Sequence, residues 1–130
     1  MTEPVWLDFN ECLNCHAVLL SRFGGLDGIR DKGLLESALQ RAQNVWAYGG
    51  GNLFDMAAAY ASGIVKNHPF LDGNKRTGFL TAALFLEING YCFTAPEPEA
   101  VLMTVDLASG KIDAALYARW LEVNSHPGTD

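Results

Sequence analysis

A chain of 130 residues with 49% hydrophobic and 18% charged side chains has the composition of one ordinary globular domain, which excludes a disordered or low-complexity polypeptide. Its formal net charge of -6, with nine Lys and Arg in all, works against direct nucleic-acid binding, where phosphates demand a basic surplus. No apolar run approaches the roughly 20 residues that span a bilayer, the N-terminus lacks a secretory pattern and three cysteines form no paired framework, so a cytoplasmic protein without membrane contact is expected.

The first helix is expected over Asp8 to Arg22, where Phe9, Leu13, Ala17 and Leu20 recur at helical spacing, ending at Phe23-Gly24-Gly25. Asp31 can cap a second helix carrying Leu34, Leu35, Ala38, Leu39 and Ala42. A Gly-rich connector through Tyr48, Gly49 and Gly50 leads to Asn52, the cap of a third helix with Met56, Ala57, Tyr60, Ile64 and Val65. Pro69 disfavours helical geometry at His68, so that helix should end near Asn67. The fourth helix runs from about Arg76 to Asn89, with Gly90 as its left-handed terminator. Phe79 to Ile88 is apolar nearly all round, the mark of a helix buried in the middle of its domain. Two further helices follow, one introduced by Pro96 and Pro98 and one capped by Asp113. Period-2 alternation is nearly absent, so the class is all-α. Residues 1–130 read as a single domain with its core over about 8–122 and a tail, 124–130, expected to fray.

The chemistry-bearing segment is His68-Pro69-Phe70-Leu71-Asp72-Gly73-Asn74-Lys75-Arg76. It joins the start of the fourth helix, where unpaired N–H groups and a partial positive charge favour an anion. Gly73 lets the backbone approach a ligand, Asn74 adds side-chain donors, and Lys75 and Arg76 add two charges. Asp72 supplies one carboxylate, enough to hold Mg²⁺ with the help of substrate phosphates. His68 has the side chain suited to accepting a proton near neutrality. Taken singly, each piece has a plainer reading: a helix-end histidine, an Asp-Gly turn, a solvated helix start. Together they are the inventory of a phosphoryl or nucleotidyl transferase, in which catalysis is positioning and charge stabilisation.

The same nine residues resemble the signature loop of the Fic/Doc family, His-Pro-Phe-x-Asp/Glu-Gly-Asn-x-Arg. The stretches from Gly28 to Leu39 and from Leu84 to Tyr91 are similar to the death-on-curing (Doc) branch. The resemblance implies a Fic-fold helical bundle with the active loop at the N-terminus of a buried central helix. It implies that His68 takes the proton of a target hydroxyl, that Asp72 binds Mg²⁺, and that Gly73, Asn74, Lys75 and Arg76 hold the phosphates of ATP. Phe70 would anchor the loop in the core.

Branches that transfer AMP usually have Gly where this chain has Lys75, as the Doc branch does. The resemblance therefore favours a toxin that moves the terminal phosphate of ATP to a protein hydroxyl, a Thr of elongation factor Tu in the Doc branch, and so arrests translation. AMP transfer to a Ser, Thr or Tyr hydroxyl is the alternative, and a non-catalytic nucleotide- or protein-binding module the second. The family's inhibitory string Ser/Thr-x-x-x-Glu-Gly/Asn is absent from the chain, so inhibition is expected in trans, from a cognate antitoxin.

Trp46, Tyr48, Gly49 and Gly50 fall where the resemblance suggests a flap for a target peptide. Lys66 is a candidate auxiliary phosphate contact, with a solvated helix-end lysine as the plainer reading. Cys12-Leu-Asn-Cys15-His16 formally matches a haem-attachment string, but core-facing thiols in a helix account for it better, and His16 is set aside as a ligand. Cys92 is expected to be a small apolar filler.

Overall fold

The structure, a computed structural model, describes residues 2–128. Among these lie six helices: α1 (Phe9–Phe23), α2 (Lys32–Ala47), α3 (Leu53–Asn67), α4 (Asn74–Ile88), α5 (Glu97–Ser109) and α6 (Ala114–Val123). Two short strands, β1 (Tyr91–Phe93) and β2 (Ser125–Pro127), pair antiparallel. The all-α reading stands, with a two-stranded ribbon added. The tail expected to fray is corrected over 125–127, which β1 holds through the Cys92–His126 register; residues 129–130 lie outside the described residues.

Local chemistry starts most helices where the sequence signals them. Asp31 accepts from the Leu34 N–H at 3.0 Å and Asp113 from that of Leu116 at 2.8 Å, each satisfying an orphan helical donor. Asp8 and Glu11 form a reciprocal capping box on α1, and Asn52 and Asp55 another on α3. At α4 the rule changes. Gly73 stands at its N-cap in the left-handed region, with no side-chain cap.

The deepest helix is α3 rather than α4. Every residue from Met56 to Val65 is buried, with α2, α4, α5 and α6 packed around it. Gly63 makes the α2–α3 approach possible, since a Cβ there would stand 2.9 Å from the Ala38 Cα. The apolar excess of α4 has another destination. Its Thr77, Ala82, Phe85 and Leu86 are buried, while Phe79, Leu80 and Ala83 stay half-exposed along an open groove.

On α1 the buried stripe is Cys12, Cys15 and His16, and Ala17 faces solvent. The thiols are free, and burial pushes that of Cys12 up to about 12, which keeps it an unreactive filler. Cys92, expected to be packed, is exposed on β1. Trp6, Trp46 and Trp120 pack half-buried against the core. Among the described residues no helix is long and apolar enough to cross a membrane.

Candidate active site

The turn between α3 and α4 begins at His68, whose backbone is left-handed (φ 50°, ψ 55°), the only non-glycine with positive φ among the described residues. A non-glycine in that region costs energy unless its surroundings hold it there. The holding group is Arg30. Its Nε donates to the His68 carbonyl at 2.6 Å and its Nη2 to the Asn67 carbonyl at 2.8 Å. The main chain joins in: the N–H groups of Arg30 and Asp31 both donate to the Pro69 carbonyl, and Leu71 N–H donates to the Gly28 carbonyl at 3.0 Å. Residues Ile29 and Phe70 thus form an antiparallel bridge between the turn and the segment after α1. Nothing in the local sequence of the turn announced this clamp, because its partner lies 38 residues away. Arg30→Ala should cost about 1–2 kcal/mol for the lost carbonyl contacts. Urea unfolding measures this, and an unchanged midpoint would remove Arg30 from the clamp.

Inside the turn, Asn74 closes the loop. Its Oδ1 accepts the Phe70 N–H at 3.0 Å, its Nδ2 donates to the Phe70 carbonyl at 3.0 Å, and the same nitrogen faces His68 Nδ1 at 3.4 Å. The last contact is long for a hydrogen bond; it orients the imidazole, which is exposed toward the groove. Asn74 is 7% exposed, so what it offers an anion is its main-chain N–H. The expectation of a side-chain donor to phosphate is corrected, because both ends of that amide are engaged by Phe70.

The Asp72 carboxylate is exposed and also fixed. Oδ1 accepts from Gly73 N–H at 2.9 Å and Oδ2 from Leu26 N–H at 3.3 Å. Gly25 is required beside it, since a Cβ there would come within 2.7 Å of Oδ2. Each oxygen keeps a lone pair free. Mg²⁺ is held by one or two carboxylates together with phosphates and water, and a lone, oriented, exposed carboxylate fits that requirement. No group of three His, Cys, Asp or Glu able to hold a metal occurs among the described residues.

His68, Asp72, Gly73, Asn74, Lys75 and Arg76 all line one groove of about 1350 Å³ that runs along α4 to β1 and α5. Arg22, at the end of α1, lines it too and adds a third cation. The Arg76 guanidinium lies 4.4 Å above the Phe23 ring, an arrangement that holds the charge beside the uncapped helix start. The helical period of α1 could have placed Arg22 near its C-terminus, but only the fold shows that this end faces the loop.

Two expected contributors are elsewhere. Lys66 is exposed on the last turn of α3 and is not part of the groove. The proposed flap is displaced. Trp46 belongs to α2, and Tyr48, Gly49 and Gly50 precede the N-cap of α3 while His68 caps its far end. About 22 Å of helix separates them at ~1.5 Å per residue. The segment actually beside the loop is Gly28–Arg30, bridged to Phe70. Sequence order misled here because both segments are Gly-rich and precede the loop.

Comparison with known proteins agrees with this architecture. The chain is 37% identical over 109 residues to "Protein kinase doc" of Escherichia phage P1, a match covering 83% of this chain and 86% of that protein. It is 42% identical over 94 residues to "Toxin Doc" of Mycolicibacterium smegmatis (strain ATCC 700084 / mc(2)155), covering 69% and 67% respectively. Residues 6–86, which include the loop, its Arg30 clamp and most of α4, match the Fic/DOC family. With the loop, the uncapped helix start and the oriented carboxylate on one groove, the chain belongs to the Fic/DOC family.

Proposed function

We propose that this protein is a Doc-like toxin that transfers the terminal phosphate of ATP to a protein hydroxyl, with elongation factor Tu as the target and arrested translation as the result. The observation that carries the reading is the convergence of His68, Asp72 and the uncapped start of α4 on one groove. Similarity to a protein kinase and to a toxin points the same way.

The roles follow from position. The N–H groups of Asn74, Lys75 and Arg76 open the helix without a side-chain cap, and with the Lys75 and Arg76 charges they form the cradle for phosphates. The Asp72 carboxylate would hold Mg²⁺, which would offset charge on the phosphates. His68 takes the proton of the target hydroxyl at its ring, oriented by Asn74 and by the clamped backbone. Gly28–Arg30, in place of the 46–50 segment, is the strip against which a target peptide would align.

The groove is larger than the ~300–1000 Å³ of an ordinary small-molecule site. Beyond the loop its wall carries an apolar stripe of Phe79, Leu80, Ala83, Val101 and Val105, with Glu87, Glu97, Thr104 and His126 among its other lining residues. That surplus suits a peptide, and we assign it to the antitoxin that silences the toxin in trans in the cytoplasm. Growth arrest on expression should be lifted by the product of a neighbouring gene. Arrest unchanged by either neighbour counts against this assignment.

Intact-mass spectrometry of elongation factor Tu, after incubation with the protein, Mg²⁺ and ATP, tests the transfer itself. A gain of one phosphate is expected, and it should be lost with His68→Ala. A gain of AMP would transfer the reading to nucleotidylation, and no gain would reject elongation factor Tu as the target.

A further inference from the structure

His16 reads in the sequence as a helical residue of no assigned role, and the fold sets it under the loop. It is 4% exposed, its Nε2 lies 2.8 Å from the Asp72 carbonyl oxygen, and its ring stacks on Phe70 at 3.9 Å and 8°. With a carbonyl as partner, Nε2 must carry the proton and donate. We propose that His16 is a positioning residue that sets the Asp72–Gly73 peptide plane, and through it both the metal-binding carboxylate and the mouth of the phosphate cradle. The inference rests on reading the loop as the Mg-ATP site.

The argument turns on one rigid unit. The Asp72 carbonyl and the Gly73 N–H belong to the same planar trans peptide and point in opposite directions. Holding the carbonyl down on His16 therefore holds the N–H up, where it donates to Asp72 Oδ1 at 2.9 Å. Rotating that plane by half a turn would withdraw the donor from the carboxylate. It would also bring a carbonyl oxygen to the side where phosphates are to sit, next to the unpaired N–H groups of α4.

Gly73 makes such a rotation sterically cheap, because a residue without Cβ has little intrinsic preference between the two backbone states. A Cβ at Gly73 would make ordinary contact with the His16 Cδ2 and Nε2 at 3.7 Å, so what resists a side chain there is the left-handed backbone (φ 77°) and not His16. The loop thus keeps a flexible residue at its centre and takes its orientation from a side chain 56 positions earlier. Thr77 Oγ1, buried and without a partner among the described residues, lies 4.0 Å from the same point and supplies no competing hold on the carbonyl.

Two variants separate the hydrogen bond from the packing. H16F keeps an aromatic ring against Phe70 and deletes the donor; H16Q keeps a donor and deletes the ring. Calorimetric titration with ATP, with Mg²⁺ and then with excess chelator, reads the site without any protein target, and thermal melting reads the fold. H16F should weaken Mg-ATP binding about three- to tenfold, the equilibrium worth of one hydrogen bond. It should narrow the gap between Mg-ATP and metal-free ATP, and H16Q should restore much of that gap. A merely structural role would lower melting and leave the gap intact. Should H16F melt far below the wild type, the same comparison is made between H16Q and H16M, which fills the space without donating. Donor-less variants that bind Mg-ATP like the wild type would overturn the inference alone. A wild-type protein that binds no Mg-ATP would overturn the nucleotide reading and this inference with it.

Discussion

Replacing His68 by Ala is expected to lower the transfer rate by about 10²–10⁴, the usual contribution of a general base, while Mg-ATP affinity stays within about twofold of wild type. The two numbers separate because two structures carry them. In the proposed mechanism phosphates would be received by the start of α4 and by Lys75 and Arg76, none of which needs the imidazole. The proton would be taken, in the same mechanism, by the imidazole, whose backbone is pinned by Arg30 at its carbonyl and by the Ile64 carbonyl at its N–H.

Alanine at position 68 also relieves little: its Cβ has the same objection to the left-handed region, and the Arg30 clamp is main-chain directed, so the loop should keep its shape. Single-turnover transfer and equilibrium titration on one preparation make the comparison. Equal losses in rate and in affinity would mean that His68 shapes the cradle rather than moving a proton. Growth arrest that survives the substitution would favour a binding module that transfers nothing.

Phe70→Ala carries the largest expected cost in stability, about 3–5 kcal/mol for an aromatic removed from a packed core. Phe70 is 1% exposed, its ring lies flat on His16, and both of its main-chain polar groups pair with Asn74. The side chain is therefore the peg by which the loop is attached to the helices below it. Its loss leaves a void against His16 and frees that ring to turn, so the Asp72 carbonyl loses its partner as well. A domain of this size should melt about 10–20 °C lower. Mg-ATP binding should also weaken at temperatures where the protein is still folded. Calorimetric melting with nucleotide titration well below the transition reads both. A melting point within a few degrees of wild type would show that the loop is held by its backbone pairing with Gly28–Arg30 and not by this ring.

Much of the helix pattern was legible because its causes are local. Asp31, Asn52 and Asp113 act on N–H groups two or three residues ahead, and Pro69 acts on the residue before it. These interactions close within one helical turn, so a linear reading sees both partners. The candidate loop was legible for the same reason: the proposed base, carboxylate and cations occupy nine consecutive residues. Even there the reading erred on Asn74, whose side chain a polarity argument assigns to the ligand and the fold assigns to Phe70.

Periodicity and capping chemistry by themselves determined the helical class and most helix boundaries, while the polar loop stood out as the candidate site through its residue types and its resemblance to a family signature. Tertiary structure decided which helix is central, where the strip beside the loop comes from, and which residues keep the loop in shape. It made α3 the core and turned the surplus apolar face of α4 into a groove wall, a choice that a uniformly apolar helix leaves open. It paired Tyr91–Phe93 with Ser125–Pro127, two segments with no strand signal of their own. And it placed His16 and Arg30 against carbonyls 56 and 38 residues away. Main-chain carbonyls are identical along the chain, so no pattern of side chains marks which of them a distant donor will reach; only packing the helices brings donor and acceptor together.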